Sequence, residues 1–234
     1  DVLIHTYAYW GTHDVNTSVK AHKNVAVQYC PTRLCRCHAL NDPNCAINRK
    51  IYQTLRTLAE VCDNVLIYDY RGCLKYAMLQ LPDLDTWRET ARAYAECNVK
   101  GIYSEMSLYT LNQPTFEELR AYLFGKLMWN PYMEKAEFDR HTDEFLAGYY
   151  GKGWRYLRAY LDRFNAEAKN KHITSFMGAM AGDDLRYEKR NGEYVFAELI
   201  DPEKLTEFCE WGNRQFDLAA AQGDWAQRER IECV

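Results

Sequence analysis

The sequence lacks the features of a nucleic-acid-binding or membrane-spanning chain. Its 29 basic and 33 acidic residues give a net charge of −4, and it has no basic run that would attract a nucleic-acid backbone. No apolar stretch reaches the roughly 18 residues that a membrane-spanning helix needs. We therefore expect no nucleic-acid partner and no membrane partner.

Signal-peptide and repeat patterns are also missing. The chain starts at Asp1 without a methionine, and it ends in QRERIECV, which is typical of an unfinished charged helix. Its first residues do not have the charged and apolar regions of a signal peptide. We interpret the sequence as a segment of a longer protein and expect an N-terminal half of that protein to be missing. The segment itself leaves the cellular location unknown.

Aromatic residues, in contrast, are abundant. The chain has 18 Tyr, 9 Phe and 6 Trp, together 14% of its residues. Tyr and Trp combine a flat apolar ring with a polar tip, which suits the binding of sugars and other amphipathic ligands. Packing between helices is an alternative use for any one of them. The number of tyrosines at predicted strand ends favours a binding surface.

Four short runs predict β-strands, and each is bounded by turn residues. They are rich in β-branched and aromatic residues and are more continuous than alternating, which is typical of strands buried on both faces. The runs are VLIHTYAY (2–9), NVAVQYC (24–30), NVLIYDY (64–70) and GIYSEMS (101–107).

Helical patterns over residues 49–62 and 85–97 separate the later strands. Strand–helix–strand order predicts parallel pairing with right-handed crossovers. A complete (β/α)8 barrel needs eight strands in about 250 residues, so residues 1–112 predict its C-terminal half. Residues 113–234 predict an α-helical region, with a hairpin that turns at Asn191-Gly192. The predicted class is therefore α/β, a partial TIM-like barrel followed by helices.

Two carboxylates stand where consecutive strands are predicted to end, Asp69 and Glu105. In a barrel of this type the active site lies at the C-terminal ends of the strands. Glycoside hydrolysis needs a carboxylic acid, a second group that stabilises the transition state, and aromatic rings against the sugar. We therefore predict Asp69 and Glu105 as catalytic residues. In the alternative, Asp69 pairs with Arg71 or Arg36, and Glu105 forms a local cap or salt bridge.

Aromatic residues occupy the ends of the two earlier strands. We predict that they bind substrate on the same rim: Tyr7, Tyr9, Trp10 and Tyr29. The loop after the second strand places Arg36 and His38 where substrate hydroxyls would bind, so we predict them as substrate-binding residues too.

The same loop holds a cysteine cluster, CPTRLCRCHALNDPNC. Zinc accepts Cys and His ligands, but the spacing C-x4-C-x-C-x7-C lacks the paired C-x2-C motifs of common structural sites. The other five cysteines are scattered in apolar contexts, as small buried hydrophobic residues often are. We therefore predict no metal ligand and no cofactor. A zinc site or a disulfide within Cys30–Cys45 stays open as an alternative.

Several segments, in their order along the chain, resemble the bacterial domain of unknown function 4838. They are YCPTRLCRCHALNDPNCAIN, NVLIYDY, GIYSE, ELRAYLFGKLMWNP and DEFLAGYYG, and the match covers about residues 1–165. That domain is associated with glycoside hydrolase family 163, the endo-β-N-acetylglucosaminidases that act on N-glycans. The resemblance implies a (β/α)8 barrel with a helical C-terminal region, glycosidase activity at the strand ends, and a secreted or periplasmic protein.

The resemblance also implies roles for single residues. Tyr70 and Tyr103 are expected to line the sugar pocket beside Glu105 and Asp69. With an N-acetyl sugar the acetamido group of the substrate can act as the nucleophile, so that one acid/base and one orienting group suffice. If the general acid lies on a missing strand, Asp69 and Glu105 only orient the substrate.

Two other classes of function remain open from the sequence. A non-catalytic carbohydrate-binding or structural module would keep the aromatic residues without the chemistry. A zinc-stabilised structural domain is the third hypothesis. The sugar and the stereochemistry of any reaction are not predicted.

Overall fold

The computed structural model of the chain describes residues 2–15, 17–72, 80–105, 116–175, 189–190, 193–194 and 200–234. Its centre is a parallel sheet with strand order β1-β2-β3-β4. The predicted α/β class and parallel pairing are confirmed, whereas the sheet is open and the described residues do not close a barrel. The strands are Ile4–Ala8 (β1), Val25–Tyr29 (β2), Asn64–Tyr70 (β3) and Gly101–Glu105 (β4).

Seven α-helices lie in the described part of the chain. None of them combines the length and the apolar character needed to cross a bilayer. The helices are Ala46–Val61 (α1), Leu84–Glu96 (α2), Glu117–Trp129 (α3), Lys135–Tyr150 (α4), Trp154–Glu167 (α5), Pro202–Gln222 (α6) and Trp225–Glu232 (α7). Short 3-10 turns cover Trp10–Thr12 and Gly151–Gly153.

The two strands of the predicted hairpin are present in the structure. Lys189–Arg190 (β5) and Glu193–Tyr194 (β6) pair in antiparallel orientation. Asn191 and Gly192, the predicted turn, lie outside the described residues.

The two faces of the sheet differ in what covers them. Val65 and Ile67 of β3 belong to one buried cluster with Ile51 and Leu55 of α1. Because side chains alternate along a strand, Asp69 lies on this same face, which we call the helix face. Leu66, Tyr68 and Tyr70 lie on the opposite face, which we call the open face.

A second buried cluster joins the helices. Trp87 of α2, Leu123 of α3, Leu146 of α4, Leu157 of α5 and Ala219 of α6 all belong to it. The helix α2 therefore packs with the C-terminal helices as well as following β3 along the chain. The division that the sequence predicts near residue 112 lies outside the described residues and stays a prediction.

Candidate functional site

A tyrosine-rich surface surrounds Glu105 at the C-terminal end of β4. In the parallel register Tyr68 is opposite Tyr103, and Tyr70 is opposite Glu105, so all four side chains share the open face. The Tyr68 hydroxyl donates a hydrogen bond to a carboxylate oxygen of Glu105 over 3.0 Å. The ring centre of Tyr68 lies 4.9 Å from that of Tyr70 and 4.7 Å from that of Tyr103. We call Tyr68, Tyr70, Tyr103 and Glu105 the rim.

The rim combines a fixed hydrogen bond with an accessible ring. Burial, and after it the hydrogen bond to Glu105, raises the pKa of Tyr68 above its usual value. The phenol therefore stays protonated near neutral pH and donates to the carboxylate. Tyr103 is 55% exposed, so its ring is available to a ligand beside Glu105.

Tyr7 of β1 lies on the same side of the sheet, and Tyr9 and Trp10 follow this strand along the chain. Tyr7 pairs with Gln28, and Gln28 pairs with Leu66 of the open face. Tyr7 is 53% exposed. Tyr9 follows Tyr7 by two residues. Burial raises the pKa of Tyr70, and the electrostatic influence of Tyr9 adds to this effect. The exposed Trp10 contacts Tyr9, with a ring-centre distance of 5.9 Å. The structure thus extends the rim towards three of the predicted aromatic residues.

Asp69 lies on the other side of the sheet. It is fully buried on the helix face, where its carboxylate forms ion pairs with Arg36 Nη1 and Arg71 Nε, both at 2.8 Å. Burial on its own raises the pKa of Asp69, but the two arginines outweigh burial and hold that pKa below its usual value. The ion pair considered as the alternative for Asp69 is therefore present.

Asp69 and Glu105 consequently do not share a cleft. They extend from neighbouring strands, but Asp69 is in register with Ser104 and Glu105 with Tyr70. Neighbouring positions on a strand point to opposite faces, which places the two carboxylates on opposite sides of the sheet. The catalytic role of Asp69 stays a prediction, without a contact to the rim among the described residues.

The ion pair of Asp69 continues into a larger buried network. The Arg71 guanidinium lies 4.5 Å from the ring centre of Trp87, and the Arg120 guanidinium lies 4.8 Å from it. Arg120 donates to a carboxylate oxygen of Asp83 over 2.8 Å and to the Arg71 carbonyl over 2.7 Å. These contacts connect the residues that follow β3 to α2 and α3.

Three other predicted substrate-binding residues lie away from the rim. Tyr29 is buried and pairs in register with Ile67, which places it on the helix face. Arg36 is buried against Asp69. His38 is part of a cysteine–histidine cluster with Cys35 and Cys45. Their substrate-binding roles stay predictions, and the structure does not bring these residues to Tyr70, Tyr103 and Glu105.

Tyr68 is not among the residues predicted from the sequence, although the strand pattern contained the signal. In NVLIYDY, residues 64–70, alternation places Tyr68 and Tyr70 together and sends Asp69 to the other face. Asp69 and Tyr70 are adjacent residues, so the same rim could not hold both side chains. Applying the two-residue period would have identified Tyr68 as the partner of Glu105.

The cysteine loop forms a compact cluster with a residue from far along the chain. The ligand atoms of Cys35, His38, Cys45 and His172 all lie within 4.8 Å of one another. A hydrogen bond with the Cys35 thiol is the main cause that raises the pKa of Cys45 to about 12, and burial is the second cause. Contact with Cys45 raises the pKa of His38, and contact with Cys35 raises that of His172. Nothing in the local spacing pointed to His172.

A separate cleft of about 330 Å³ lies between α2, α4 and α5. Arg158 lines it and forms ion pairs with Asp143 over 2.6 Å and with Asp162 over 2.8 Å. Ion pairs within α5 and from α5 to α4 thus account for this positive charge without a ligand.

Together these features define a class: an α/β protein with an open parallel sheet that carries an acidic and aromatic rim. The sequence model of the family described as Domain of unknown function (DUF4838) matches residues 1–162, and the chain belongs to this family. Neither the curated proteins nor the solved structures contain a match to the chain. The family membership confirms the first part of the resemblance and carries no activity with it.

Proposed function

We propose that the rim binds a glycan and that Glu105 is the acid/base of a glycoside hydrolase, with β-N-acetylglucosaminide linkages as the first candidates. One observation carries the proposal. The Glu105 carboxylate accepts a hydrogen bond from Tyr68 beside the exposed ring of Tyr103, at the C-terminal end of a parallel strand. This end of the strands carries the catalytic groups in (β/α)8 enzymes.

A single carboxylate on the rim suits a substrate-assisted reaction. The acetamido oxygen of the sugar attacks the anomeric carbon, the glycosidic bond breaks, and the leaving oxygen takes the proton of Glu105. Glu105 then accepts a proton from the water that opens the cyclic intermediate. Hydrolysis by this route needs one acid/base and a group that orients the acetamide. The association of the resembled domain with glycoside hydrolase family 163, which was an expectation from the sequence, favours this choice of substrate.

In this proposal Asp69 is a positioning residue. Its ion pairs with Arg36 and Arg71 hold the end of β3. The next residue, Tyr70, accepts a hydrogen bond at its carbonyl from the Ser175 hydroxyl, which in turn accepts from Arg36 Nε over 3.0 Å. Asp69 thus acts on the rim through the backbone of β3.

The proposal also includes further strands of the same protein beside β1. The side chains of Ile4 and Tyr7 are exposed on the two faces of this strand. An edge strand of this kind has backbone groups that can pair with another strand. The exposure of β1 supports the earlier expectation of a missing half barrel, which would complete the rim.

The first test is hydrolysis by the full-length protein of an aryl β-N-acetylglucosaminide and of N-glycan substrates, comparing wild type with Glu105→Gln. Loss of a general acid–base group typically costs 10²–10⁴-fold, so we expect turnover to fall by about that factor. Glu60→Gln is the matched control, because Glu60 is exposed near the C-terminal end of α1 and is expected to leave turnover unchanged.

A non-catalytic carbohydrate-binding module is the second candidate. The breadth of the exposed aromatic surface, which includes Tyr7, Trp10 and Tyr103, favours it. This candidate predicts glycan binding that Tyr103→Ala weakens, with no hydrolysis by the wild type. Hydrolysis that survives Glu105→Gln with only weaker binding would make Glu105 a positioning residue. A wild type that neither binds nor cleaves any tested glycan would contradict both candidates.

A further inference from the structure

We infer that Cys35, His38, Cys45 and His172 bind one structural zinc ion that joins the loop after β2 to the segment after α5. The juxtaposition of these four ligand atoms within 4.8 Å carries the inference. The site lies apart from the rim and does not depend on the proposed hydrolysis.

The distances between the ligand atoms fit one tetrahedral ion. Cys35 Sγ lies 3.2 Å from His38 Nδ1 and 3.5 Å from His172 Nδ1. Cys45 Sγ lies 3.7 Å from His172 Nδ1. Zinc bonds of about 2.3 Å to sulfur and 2.0–2.1 Å to nitrogen, at tetrahedral angles, separate neighbouring ligands by about 3.3–3.8 Å. These three separations lie close to that range and all the ligand atoms lie within 4.8 Å of one another, so changes of about 1 Å or less in their separations would let them surround one ion.

The donor atoms select zinc over the common alternatives. Two thiolates and two imidazoles in a tetrahedral arrangement are typical of zinc, whereas magnesium and calcium prefer oxygen ligands. Cys35 and Cys45 are fully buried and the two histidines are partly buried. Four protein ligands leave no open position for water or substrate, which is the pattern of a structural rather than a catalytic zinc site.

The surroundings of the four residues hold the sulfur atoms in place. Cys45 is the N-cap of α1, and its Sγ accepts a hydrogen bond from the Asn48 backbone over 3.5 Å. The Asn48 side chain also accepts from the Cys35 amide over 2.8 Å and donates to the His38 carbonyl over 2.9 Å. Such supporting contacts fix the ligands of a metal site.

The metal would connect two distant parts of the chain. His172 lies next to Ile173, whose carbonyl accepts from the Arg36 amide over 2.7 Å. Arg36 is also the residue that pairs with Asp69. A zinc ion between Cys35 and His172 would thus fix the loop that carries this arginine. A disulfide between Cys35 and Cys45 would close only that loop and leave His172 without a role.

The test starts with the metal content of the purified protein under reducing conditions, measured by mass spectrometry of the elements. We expect one zinc per chain. Removing it with a chelator should lower the midpoint of thermal unfolding, and added zinc should restore the midpoint, because a ligand that binds the folded state stabilises it. Cobalt added to the metal-free protein should give the visible absorption of a tetrahedral thiolate site.

The variants separate the four ligands from the neighbouring cysteine. His172→Ala and Cys45→Ser should lose bound zinc, whereas Cys37→Ser is the control in the same loop and should keep it. His172→Cys should retain the ion with a changed cobalt spectrum, which keeps the test decisive if Cys45→Ser does not fold. A wild type that takes up neither zinc nor cobalt would overturn the inference. Full zinc content in His172→Ala, or an intact Cys35–Cys45 disulfide in the native protein, would overturn it as well.

Discussion

The helix face and the open face of the same sheet surround their carboxylates with different partners. On the helix face the ionised Asp69 is fully buried and is balanced by two arginines at 2.8 Å. On the open face Glu105 has a phenol as its partner and an exposed tyrosine beside it. Carboxylates at the ends of neighbouring strands can thus differ completely in environment, because the two-residue period of a strand sends them to opposite sides. The helix face thus serves stability, whereas the proposed function gives recognition of a ligand to the open face.

Replacing Asp69 should have the largest effect on folding. Asp69→Asn removes the negative charge and leaves Arg36 and Arg71 buried without it. Breaking a buried ion pair by changing one partner costs about 3–5 kcal/mol, and we expect the free energy of unfolding to fall by that amount. Urea unfolding measures this loss as a lower midpoint with an unchanged slope.

Asp63→Asn is the control for the charge change alone. Asp63 pairs with Lys20 at 3.4 Å, and both side chains are more than half exposed. An exposed pair contributes about 0–1 kcal/mol, so this variant should be close to wild type. Equal losses in the two variants would remove the distinction that we draw between the helix face and the surface.

The same comparison predicts a pH dependence. The pKa of Asp69 is lower in the folded protein than in the unfolded chain, because Arg36 and Arg71 outweigh burial. Its stabilising contribution is therefore complete above the unfolded pKa of about 3.9 and is lost as the pH falls through the folded pKa. Urea unfolding from neutral to acid pH should show a constant gap between wild type and Asp69→Asn that narrows only below about pH 4. A gap that already closes near neutral pH would contradict this assignment.

On the open face we expect a replacement to lower stability less than Asp69→Asn does and to lower turnover as well. Tyr68→Phe removes the hydroxyl that donates to Glu105, and a hydrogen bond of this kind contributes about 0.5–1.5 kcal/mol to stability. If Glu105 is the acid/base, a less well-held carboxylate should lower turnover about 10-fold, equivalent to about 1.4 kcal/mol. Urea unfolding and the glycosidase assay measure the two effects separately.

Tyr132→Phe is the matched control for Tyr68→Phe. Tyr132 is exposed in the segment after α3 and is not part of the rim, and its replacement should change neither stability nor turnover. A large loss of stability in Tyr68→Phe with unchanged turnover would indicate that Tyr68 contributes to folding and not to the proposed activity.

Much of the fold followed from local patterns in the sequence. The run 64–70 coincides with β3, and the helix predicted over 85–97 is Leu84–Glu96 in the structure. The helix predicted from residue 49 begins instead at Ala46, because Cys45 caps it through its side chain. A sulfur cap of this kind has no strong sequence signature, which explains the shift. Apolar periodicity predicts which segments form helices and strands, but it predicts the first residue of a helix less accurately.

The candidate site was only partly predictable. Glu105, Tyr70 and Tyr103 were proposed together and lie together, since the ends of parallel strands meet at one edge. The sequence analysis weighed Arg36 in two ways, as a substrate ligand and as a partner of Asp69, and the structure shows the ion pair. Choosing between these alternatives requires knowing how the loop after β2 folds, and no local sequence pattern predicts this.

The sequence by itself determined the four strands, the parallel pairing of the three strands that helices separate, and the presence of a carboxylate at the end of β4, because these follow from local patterns along the chain. Tertiary structure decided which face each carboxylate occupies and brought His172 within 3.7 Å of Cys45. Residues so distant in sequence meet only when the helices after the sheet pack back onto it. The clustering of Cys35, His38 and Cys45 with His172 depends on that packing, and no spacing along the chain records it.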